Sequence, residues 1–304
     1  MKSLNAGRCI KIDEIGAYSV NVVTNQVTIG YDHIPRLISN VDDVIGIDLE
    51  EGMEEFKAKH NDKNLESLLK FIKMQCKFGS DLKEQIRADF VTNRGTIARF
   101  FTSTKTKFIA IRKNGVIFLY NTVTYGCSDS DVKRLRRVRK FDYITSAGNF
   151  RNPCENCEEV RVVFRATLKT GWRIYYNAKI NGIDEDGNYV AKKINSKVRL
   201  DDSQKLSRRK NREHLPHFFS NTKTILRGIV NNQGTLVNIE REDVDFALIV
   251  GQLPILEHYL MLIRCQLRHD EMAVNIFLQP DRTLLFEPLH DCSLVPDDFL
   301  DQFS

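Results

Sequence analysis

The stretch from Trp172 to Lys197 constrains the fold of this chain more than any other segment. It has the pattern of a strand at 173–180, a polar turn at 181–188 and a return strand at 189–194. The turn contains Gly182 and the run Asp184-Glu185-Asp186-Gly187, residue types that tolerate the backbone conformations of a tight connection. We therefore predict a β-hairpin, and a hairpin needs neighbouring strands or helices to be stable.

Further strand and helix signals lie on both sides of this hairpin. Strands are predicted at 16–23, 26–29, 90–104, 107–121, 160–168 and 224–242, with Asn114-Gly115 and Gln233-Gly234 as turns. Helices are predicted at 64–78, 129–145, 202–222 and 244–268, with Pro254 kinking or interrupting the last one. This mixture predicts one α+β domain over residues 1–304, with mixed β-sheets flanked by helices and an acidic tail at about 290–304.

Composition limits the class of protein. With 42% hydrophobic and 28% charged residues the chain is predicted to fold. No apolar run approaches the roughly 20 residues needed to span a bilayer, and the first residues lack the apolar core of a signal peptide. For this reason we expect no membrane association. Seven cysteines without framework spacing are typical of the cytosol or nucleus.

Familiar catalytic motifs are missing from the sequence. No G-x-S-x-G, Walker A or dinucleotide-binding pattern occurs, which argues against hydrolase, NTPase and dehydrogenase functions. Cys154-x-x-Cys157 has the spacing of a zinc ligand pair but no second pair, so two loop thiols are the preferred interpretation. His214-x-x-His217 lacks an evident third ligand, which favours a surface or packing role for both imidazoles.

Two basic clusters are the clearest charge feature of a chain whose net charge is only +5. The first consists of Lys133, Arg134, Arg136, Arg137, Arg139 and Lys140, and the second of Lys205, Arg208, Arg209, Lys210 and Arg212. Each could follow a phosphate backbone, act as a nuclear-import signal or solvate a helix face. Tyr175, Tyr176, Phe218 and Phe219 could stack on bases, although burial would explain them equally well.

The order of motifs resembles the DXO family of decapping exoribonucleases. The matching segments are IGAYSV (15–20), IDLEEGMEEF (47–56), VTNRGTI (91–97), KFDYI (140–144) and VNNQGTLVNI (230–239). The resemblance implies a DXO-like nuclease fold, RNA 5′ ends as substrate and magnesium as cofactor. It also implies a nuclear setting with protein partners, and it places Arg94 where the family's arginine faces the RNA phosphate.

The predicted hairpin departs from the family pattern at the metal ligands. Where the family reads G-E-V-D and then Y-V-E-L-K-T-S-K, this chain reads AKIN (178–181) and YVAKKINSK (189–197). The resemblance therefore implies that three metal-binding carboxylates are replaced by Lys179, Asn181 and Ala191, while Lys193 keeps the family's lysine. Asp142 stands at a metal-binding glutamate, and in HFFSNT (217–222) Asn221 stands at an active-site glutamine.

These replacements predict the loss of the metal site. Magnesium needs hard, charged oxygen ligands, and Asp142 is the only expected one that remains. We expect no cofactor and no catalytic residue, and a groove in which Arg94, Lys179 and Lys193 bind RNA phosphate without cutting it. An alternative register stays open, in which Asp184, Glu185 and Asp186 of the turn bind the metal.

Three functional hypotheses follow. The first is a non-catalytic nuclear protein that binds or shields RNA 5′ ends within a protein complex. Such a complex would regulate transcription termination or RNA processing, as an insect germline piRNA factor of this family does. The second is an active metal-dependent decapping 5′–3′ exoribonuclease that uses magnesium. The third is a protein-interaction scaffold without RNA binding.

Overall fold

The computed structural model describes residues 3–5, 9–21, 24–53, 56, 65–101, 105–122, 129–147, 158–196, 214–290, 292 and 294–303. Its strands are β1 (Ser3–Asn5), β2 (Ile10–Asn21), β3 (Val27–Ile29), β4 (Phe90–Asn93), β5 (Thr106–Lys113), β6 (Val116–Asn121), β7 (Glu158–Leu168), β8 (Arg173–Lys179), β9 (Gly182–Ile183), β10 (Tyr189–Ser196), β11 (Thr222–Val230), β12 (Leu236–Asp243), β13 (Ala273–Leu278) and β14 (Leu284–Leu289). Its helices are α1 (Glu66–Gln75), α2 (Leu82–Ile86), α3 (Arg94–Arg99), α4 (Asp129–Ala147), α5 (Ala247–Val250), α6 (Leu253–Gln266) and α7 (Asp297–Leu300), with a 3₁₀ helix at Val41–Val44 and a helical turn at 214–218.

The described strands form two mixed sheets. The larger has the order β1-β2-β7-β8-β4-β6-β5-β13-β14, with β3 paired to β2, and its β4 runs parallel to both β6 and β8. The smaller has the order β12-β11-β10-β9, in which β10 and β11 are parallel. Helices flank both sheets, so the predicted α+β class with mixed sheets is confirmed.

The predicted hairpin is wrong in its pairing, although both of its strands are present. β8 belongs to the larger sheet and β10 to the smaller one. The hairpin is instead formed by β9 and β10, with Gly187 in the left-handed conformation at the turn. Ile183 leaves the larger sheet because its N–H and carbonyl bond to Pro35 and Leu37. The end of β8 therefore meets α4, where Lys179 Nζ lies 3.7 Å from Asp142 Oδ2, and we call this region between the two sheets the cleft.

The segment predicted as strand at 90–104 turns into helix after four residues. The side chain of Asn93 accepts a hydrogen bond from the N–H of Thr96 at 2.8 Å, which caps α3. The prediction missed this cap because the apolar residues that follow it suit a strand equally well. Arg94 is consequently the first residue of a helix, not a residue within a strand.

One prediction for the C-terminal third also needs correction. The predicted helix at 244–268 is divided at Gly251-Gln252. Pro254 lies in the first turn of α6, where a backbone N–H would have no partner within the helix, so proline costs no hydrogen bond. The acidic tail predicted at about 290–304 includes α7 and packs on the rest of the chain. Phe299 and Phe303 are buried against the core cluster that contains α1.

Burial decides the role of the aromatic residues considered for base stacking. Tyr175, Tyr176, Phe218 and Phe219 are all buried, and the Tyr176 hydroxyl donates to the carbonyl of Phe219 at 2.9 Å. Tyr176, Phe218 and Phe219 pack in the core between the larger sheet and the helical turn, whereas Tyr175 packs in the cluster that contains α1. None of the four offers a face to RNA. No helix among the described residues is long and apolar enough to cross a membrane.

Gly228 lets α4 approach the smaller sheet, and its replacement is a test of that packing. A Cβ at this position would lie 2.9 Å from Leu236 Cδ1 and 3.0 Å from Phe141 Cε2. We expect Gly228→Ala to lower the free energy of unfolding by about 1–3 kcal/mol, as overpacking does. Gly251→Ala, where a Cβ meets nothing within 4 Å, is the control and should be neutral or slightly stabilising. Urea denaturation of both variants checks this; an unaltered Gly228→Ala midpoint would contradict the described packing.

Candidate functional site

Helix α4 carries Asp142 to the cleft between the two sheets. Phe141 and Ile144 of this helix are buried with Val190 and Leu226 of the smaller sheet, which fixes the helix on that sheet. The side chain of Asp142 meets Asn181, whose Nδ2 donates to both carboxylate oxygens at 3.1 and 3.0 Å. The Asp142 carboxylate is therefore bound to the Asn181 amide, which the family resemblance predicts to replace a carboxylate.

Lys179 lies beside the same carboxylate. Its Nζ is 3.7 Å from Asp142 Oδ2 and 3.8 Å from Glu159 Oε1, so the ammonium stands between two acidic side chains. Burial lowers the pKa of Lys179 to about 8, the charge of Asp142 counteracts this shift, and the cations Arg139, Arg161 and Arg94 add to it. The cleft thus holds more positive than negative charge around Asp142.

Glu159 is a residue of this cluster that the sequence analysis missed. It is buried at the start of β7, and its carboxylate lies 3.0 Å from Arg161 Nη2 and 3.4 Å from Arg139 Nη2. The β7–β8 register places Arg161 directly opposite Lys179. No motif marks Glu159, because its role depends on the antiparallel pairing of two strands and on the position of α4.

Lys192 is a second residue that the sequence analysis missed. Its Nζ is buried and donates to the backbone carbonyl of Asp142 at 3.0 Å and to the Ser146 hydroxyl. Burial lowers the pKa of Lys192 to about 8. Because side chains alternate along a strand, Ala191 and Lys193 lie on the other face of β10. The ammonium that secures the backbone at Asp142 therefore comes from Lys192.

Arg94 lies on the side of the cleft formed by α3 and the helical turn at 214–218. Its Nη1 donates to Ser220 Oγ at 3.1 Å, and burial lowers the pKa of the guanidinium to about 10. The Ser220 hydroxyl also lies 3.2 Å from the carbonyl oxygen of His217. Arg94 is thus anchored to the turn, with its charge close enough to act on both Lys179 and His217.

The two histidines have separate roles. His214 bonds to Glu242 at 3.1 Å and accepts from the N–H of Asp245 at 3.2 Å, whereas His217 is buried and neither of its ring nitrogens has a hydrogen-bond partner among the described residues. Burial, with the charges of Lys193 and Arg94, holds the pKa of His217 well below its usual range. The imidazoles do not converge on a shared ligand position, which supports packing over metal binding.

The structure also places Asn221 and Lys193, two residues that the family resemblance singles out. Asn221 is in the left-handed conformation that ends the helical turn, one that asparagine tolerates better than most residues. Lys193 stands opposite Arg227 in the parallel β10–β11 register. Their roles at RNA remain predictions.

The first basic cluster is only partly a surface. Lys140 is buried, and Lys133 and Arg137 both pair with Glu50, at 3.3 Å for the lysine. Arg139 pairs with the buried Glu159. The interpretation of this cluster as a basic surface therefore applies to only part of it, because α4 uses Arg137 and Arg139 to hold neighbouring segments. Arg134 is exposed, and Arg136 is half-buried. The second basic cluster (Lys205, Arg208, Arg209, Lys210 and Arg212), Cys154 and Cys157 lie outside the described residues.

The residues around Asp142 do not fit a magnesium ion. Magnesium favours several oxygen ligands in octahedral geometry, but here both oxygens of Asp142 accept from Asn181 and an ammonium lies nearby. Across the described part of the chain, no group of three or more His, Cys, Asp or Glu side chains could hold a metal. The alternative ligands do not converge either. Asp184 accepts from the N–H of Asn188 at 2.7 Å to close the turn, and Glu185 and Asp186 are exposed.

Comparisons with known proteins agree with this architecture. A family model described as RAI1-like PD-(D/E)XK nuclease matches residues 12–246. The decapping nuclease dom-3 of Caenorhabditis elegans is 29% identical over 174 residues, which cover 48% of this chain and 44% of that protein. The matched part is thus less than half the length of the nematode protein.

Solved structures of similar shape come from fungi. Scheffersomyces stipitis Rai1, in complex with 3′-NADP⁺ and calcium ion, has a TM-score of 0.73 at 13% identity and covers 96% of this chain and 92% of its own. Candida albicans Rai1 in complex with pU5-Mn²⁺ has a TM-score of 0.70 at 14% identity and covers 99% and 95%. K. lactis Dxo1 in complex with manganese has a TM-score of 0.65 at 12% identity and covers 92% and 90%. At these identities the likeness shows the fold.

Proposed function

This chain belongs to the RAI1-like PD-(D/E)XK nuclease family, which relates it to the DXO decapping nucleases and to RNA processing, and we propose that it is a non-catalytic member. In this proposal it binds or shields RNA 5′ ends in the nucleus, within a protein complex that regulates transcription termination or RNA processing. No cofactor takes part.

The observation that carries this proposal is the state of the Asp142 carboxylate. In a metal-dependent nuclease of this fold, carboxylates must be free to neutralise metal ions. Here Asn181 donates to both oxygens of Asp142, and the Lys179 ammonium stands within 4 Å. Two unit charges at this separation interact by several times the thermal energy even at an effective dielectric constant of about 20. A divalent cation would have to displace the ammonium and work against the surrounding arginines.

The same charges support phosphate binding. Arg94, Lys179 and Arg161 act on one another electrostatically, so their positive charges share one region of the cleft. An RNA phosphate is negatively charged, and in an active nuclease metal ions help to neutralise it; here these cations would do so. Charge-assisted hydrogen bonds to phosphate are among the stronger polar contacts. The Candida albicans Rai1 structure contains pU5. We extend RNA binding to this chain on that basis.

The nuclear setting and the protein complex are separate parts of the proposal. They come from the family resemblance and from the basic clusters, one of which lies outside the described residues. Active 5′–3′ decapping with magnesium stays as the second candidate, and its supporting observation is that Asp142 and Glu159 place two carboxylates on either side of Lys179. A scaffold without RNA binding is the third.

Incubation of the purified protein with 5′-monophosphate, 5′-triphosphate and capped RNA, in magnesium or manganese, separates these candidates. We expect no release of nucleotides or caps above a buffer control, with RNA retained in a filter-binding assay. Wild-type product release that Asp142→Ala abolishes would overturn the proposal in favour of the active nuclease. Failure to retain any of the RNAs at low salt would favour the scaffold.

A further inference from the structure

A cavity of about 470 Å³ opens beside β9, within two residues of Asn181. Its walls include Glu14, Tyr31, Ile34, Arg36, Ile183 and Tyr189. Backbone hydrogen bonds of 2.9 Å from the Ile183 N–H to Pro35, and from the Leu37 N–H to Ile183, hold this wall in place. The volume is in the range of small-molecule sites and would hold a nucleotide.

The floor of this cavity carries a buried carboxylate. Glu14 is 4% exposed, accepts the Tyr189 hydroxyl at 2.7 Å and also accepts a hydrogen bond from Tyr31. Among the described residues no Lys or Arg pairs with it. A carboxylate accepts about four hydrogen bonds, so two phenols leave acceptor capacity for a ligand. A ligand that presents two adjacent N–H groups would complete it.

Among the common bases, guanine has this edge. Its N1–H and N2–H donors are adjacent and parallel, and they match the two oxygens of a carboxylate. Adenine, cytosine and uracil each place an acceptor next to their donor, which a carboxylate repels. The exposed Tyr31 ring, with Ile34 and Ile183, provides apolar surface for the face of a base.

The rim of the cavity suits the rest of a nucleotide. Arg36 is exposed and has no ion-pair partner among the residues that the structure describes, so its guanidinium is available to a phosphate. Asp32 also lines the cavity and can accept hydrogen bonds from ribose hydroxyls. We propose that this cavity is a guanine-nucleotide pocket, in which Glu14 reads the Watson–Crick edge of the base and Arg36 contacts the phosphate.

This pocket deepens the proposed function. Its role at an RNA end rests on that function, because the pocket lies next to the cleft in which we propose that the 5′ phosphate binds. The Asn181 side chain belongs to the Asp142 cluster, and Ile183, two residues further, lines the cavity. A guanosine at the 5′ end of an RNA and a free guanine nucleotide share the chemistry that the pocket recognises. The experiment must therefore contain both.

Isothermal titration of the full chain with GMP, AMP, CMP and UMP tests the pocket directly. We expect GMP to bind about tenfold or more tighter than the others, the discrimination typical of a good bidentate contact to a base. Glu14→Gln should remove this preference, whereas Glu287→Gln, at an exposed position on β14, should retain it. Arg36→Ala should weaken GMP binding but leave guanosine binding unchanged.

A second variant covers the case in which Glu14→Gln fails to fold. Ile34→Trp fills the cavity without altering the carboxylate, and it should abolish GMP binding while the melting temperature and the binding of RNA that begins with adenosine are kept. Equal binding of all four nucleotides, or a guanine preference that survives Glu14→Gln, would overturn the pocket.

Binding of 5′-monophosphorylated RNAs that begin with each of the four bases separates the two proposals. A preference for a first guanosine, competed by GMP, supports the pocket at an RNA end. RNA binding that ignores the first base, with no competition by GMP, overturns the pocket and leaves the proposed function intact. GMP binding without any RNA binding supports the pocket for a free nucleotide and contradicts the proposed function.

Discussion

The triple variant Lys179→Glu, Asn181→Asp and Ala191→Glu is expected to give this chain a manganese site and a measurable 5′–3′ exonuclease activity. The substitutions introduce the carboxylates that the family resemblance predicts at these positions and change the formal charge of the cleft by four units. Asp142 then loses the Asn181 amide and the Lys179 ammonium, both of which hold it now. Several carboxylates would converge in the cleft, and hard cations favour such oxygen ligands.

Metal binding and activity can be measured separately for this variant. Without metal the added carboxylates repel one another, so we expect the melting temperature to fall and manganese to restore it. Nucleotide release from 5′-monophosphate RNA should then appear above the wild-type background. A control with the same kinds of change at exposed positions of the smaller sheet, Lys223→Glu with Asn238→Asp, should gain neither property.

The triple variant also has a clear negative outcome. If it folds and binds manganese but releases no nucleotide, the metal site alone is insufficient and further positions, such as Asn221, are needed for activity. If it folds and manganese does not raise its melting temperature, the assignment of Lys179, Asn181 and Ala191 to carboxylate positions is wrong.

Arg94→Ala is expected to weaken the binding of 5′-monophosphate RNA by about tenfold or more, since hydrogen bonds between charged groups contribute roughly 1.5–3 kcal/mol. The guanidinium is held by Ser220, so it meets a phosphate already oriented. Loss of one phosphate contact should also lower the salt dependence of binding, with the slope of log K against log salt falling by about 0.7 for a single strand. Fluorescence anisotropy over a salt series measures both quantities.

The control for Arg94 is an arginine on strand β8. Arg173 is exposed and is the first residue of β8, whereas Lys179 is the last. Arg173→Ala therefore removes an equal charge far from the cleft. It should change the affinity by less than twofold, within the small effects typical of single exposed charges. Equal affinities for the wild type and Arg94→Ala, at every salt concentration, would show that RNA does not enter this cleft.

The sequence was informative wherever local chemistry decides structure. Asn114 and Gly115 adopt positive φ at the β5–β6 turn, as their residue types predict, and α1 buries Leu68, Leu69 and Ile72, which recur at helical spacing. The sequence was misleading where the same residues are compatible with both a strand and a helix. The apolar run after Asn93 suits strand and helix alike, and only the cap to Thr96 decides between them.

The amino-acid sequence by itself indicated the family, through motif order, and the resemblance predicts that Lys179, Asn181 and Ala191 replace metal-binding carboxylates. Only the tertiary structure shows which side chains lie around Asp142 in the cleft. Glu159 and Lys192 lie far along the chain from Asp142, on strands of different sheets, and only the packing of α4 brings all three together. The physical reason is that local periodicity fixes which residues form a strand or helix, whereas ion pairs depend on which distant elements are stacked against one another. The sequence predicted which carboxylates are absent, and the structure shows that Lys179 and Asn181 contact the Asp142 side chain while Lys192 bonds to its backbone carbonyl.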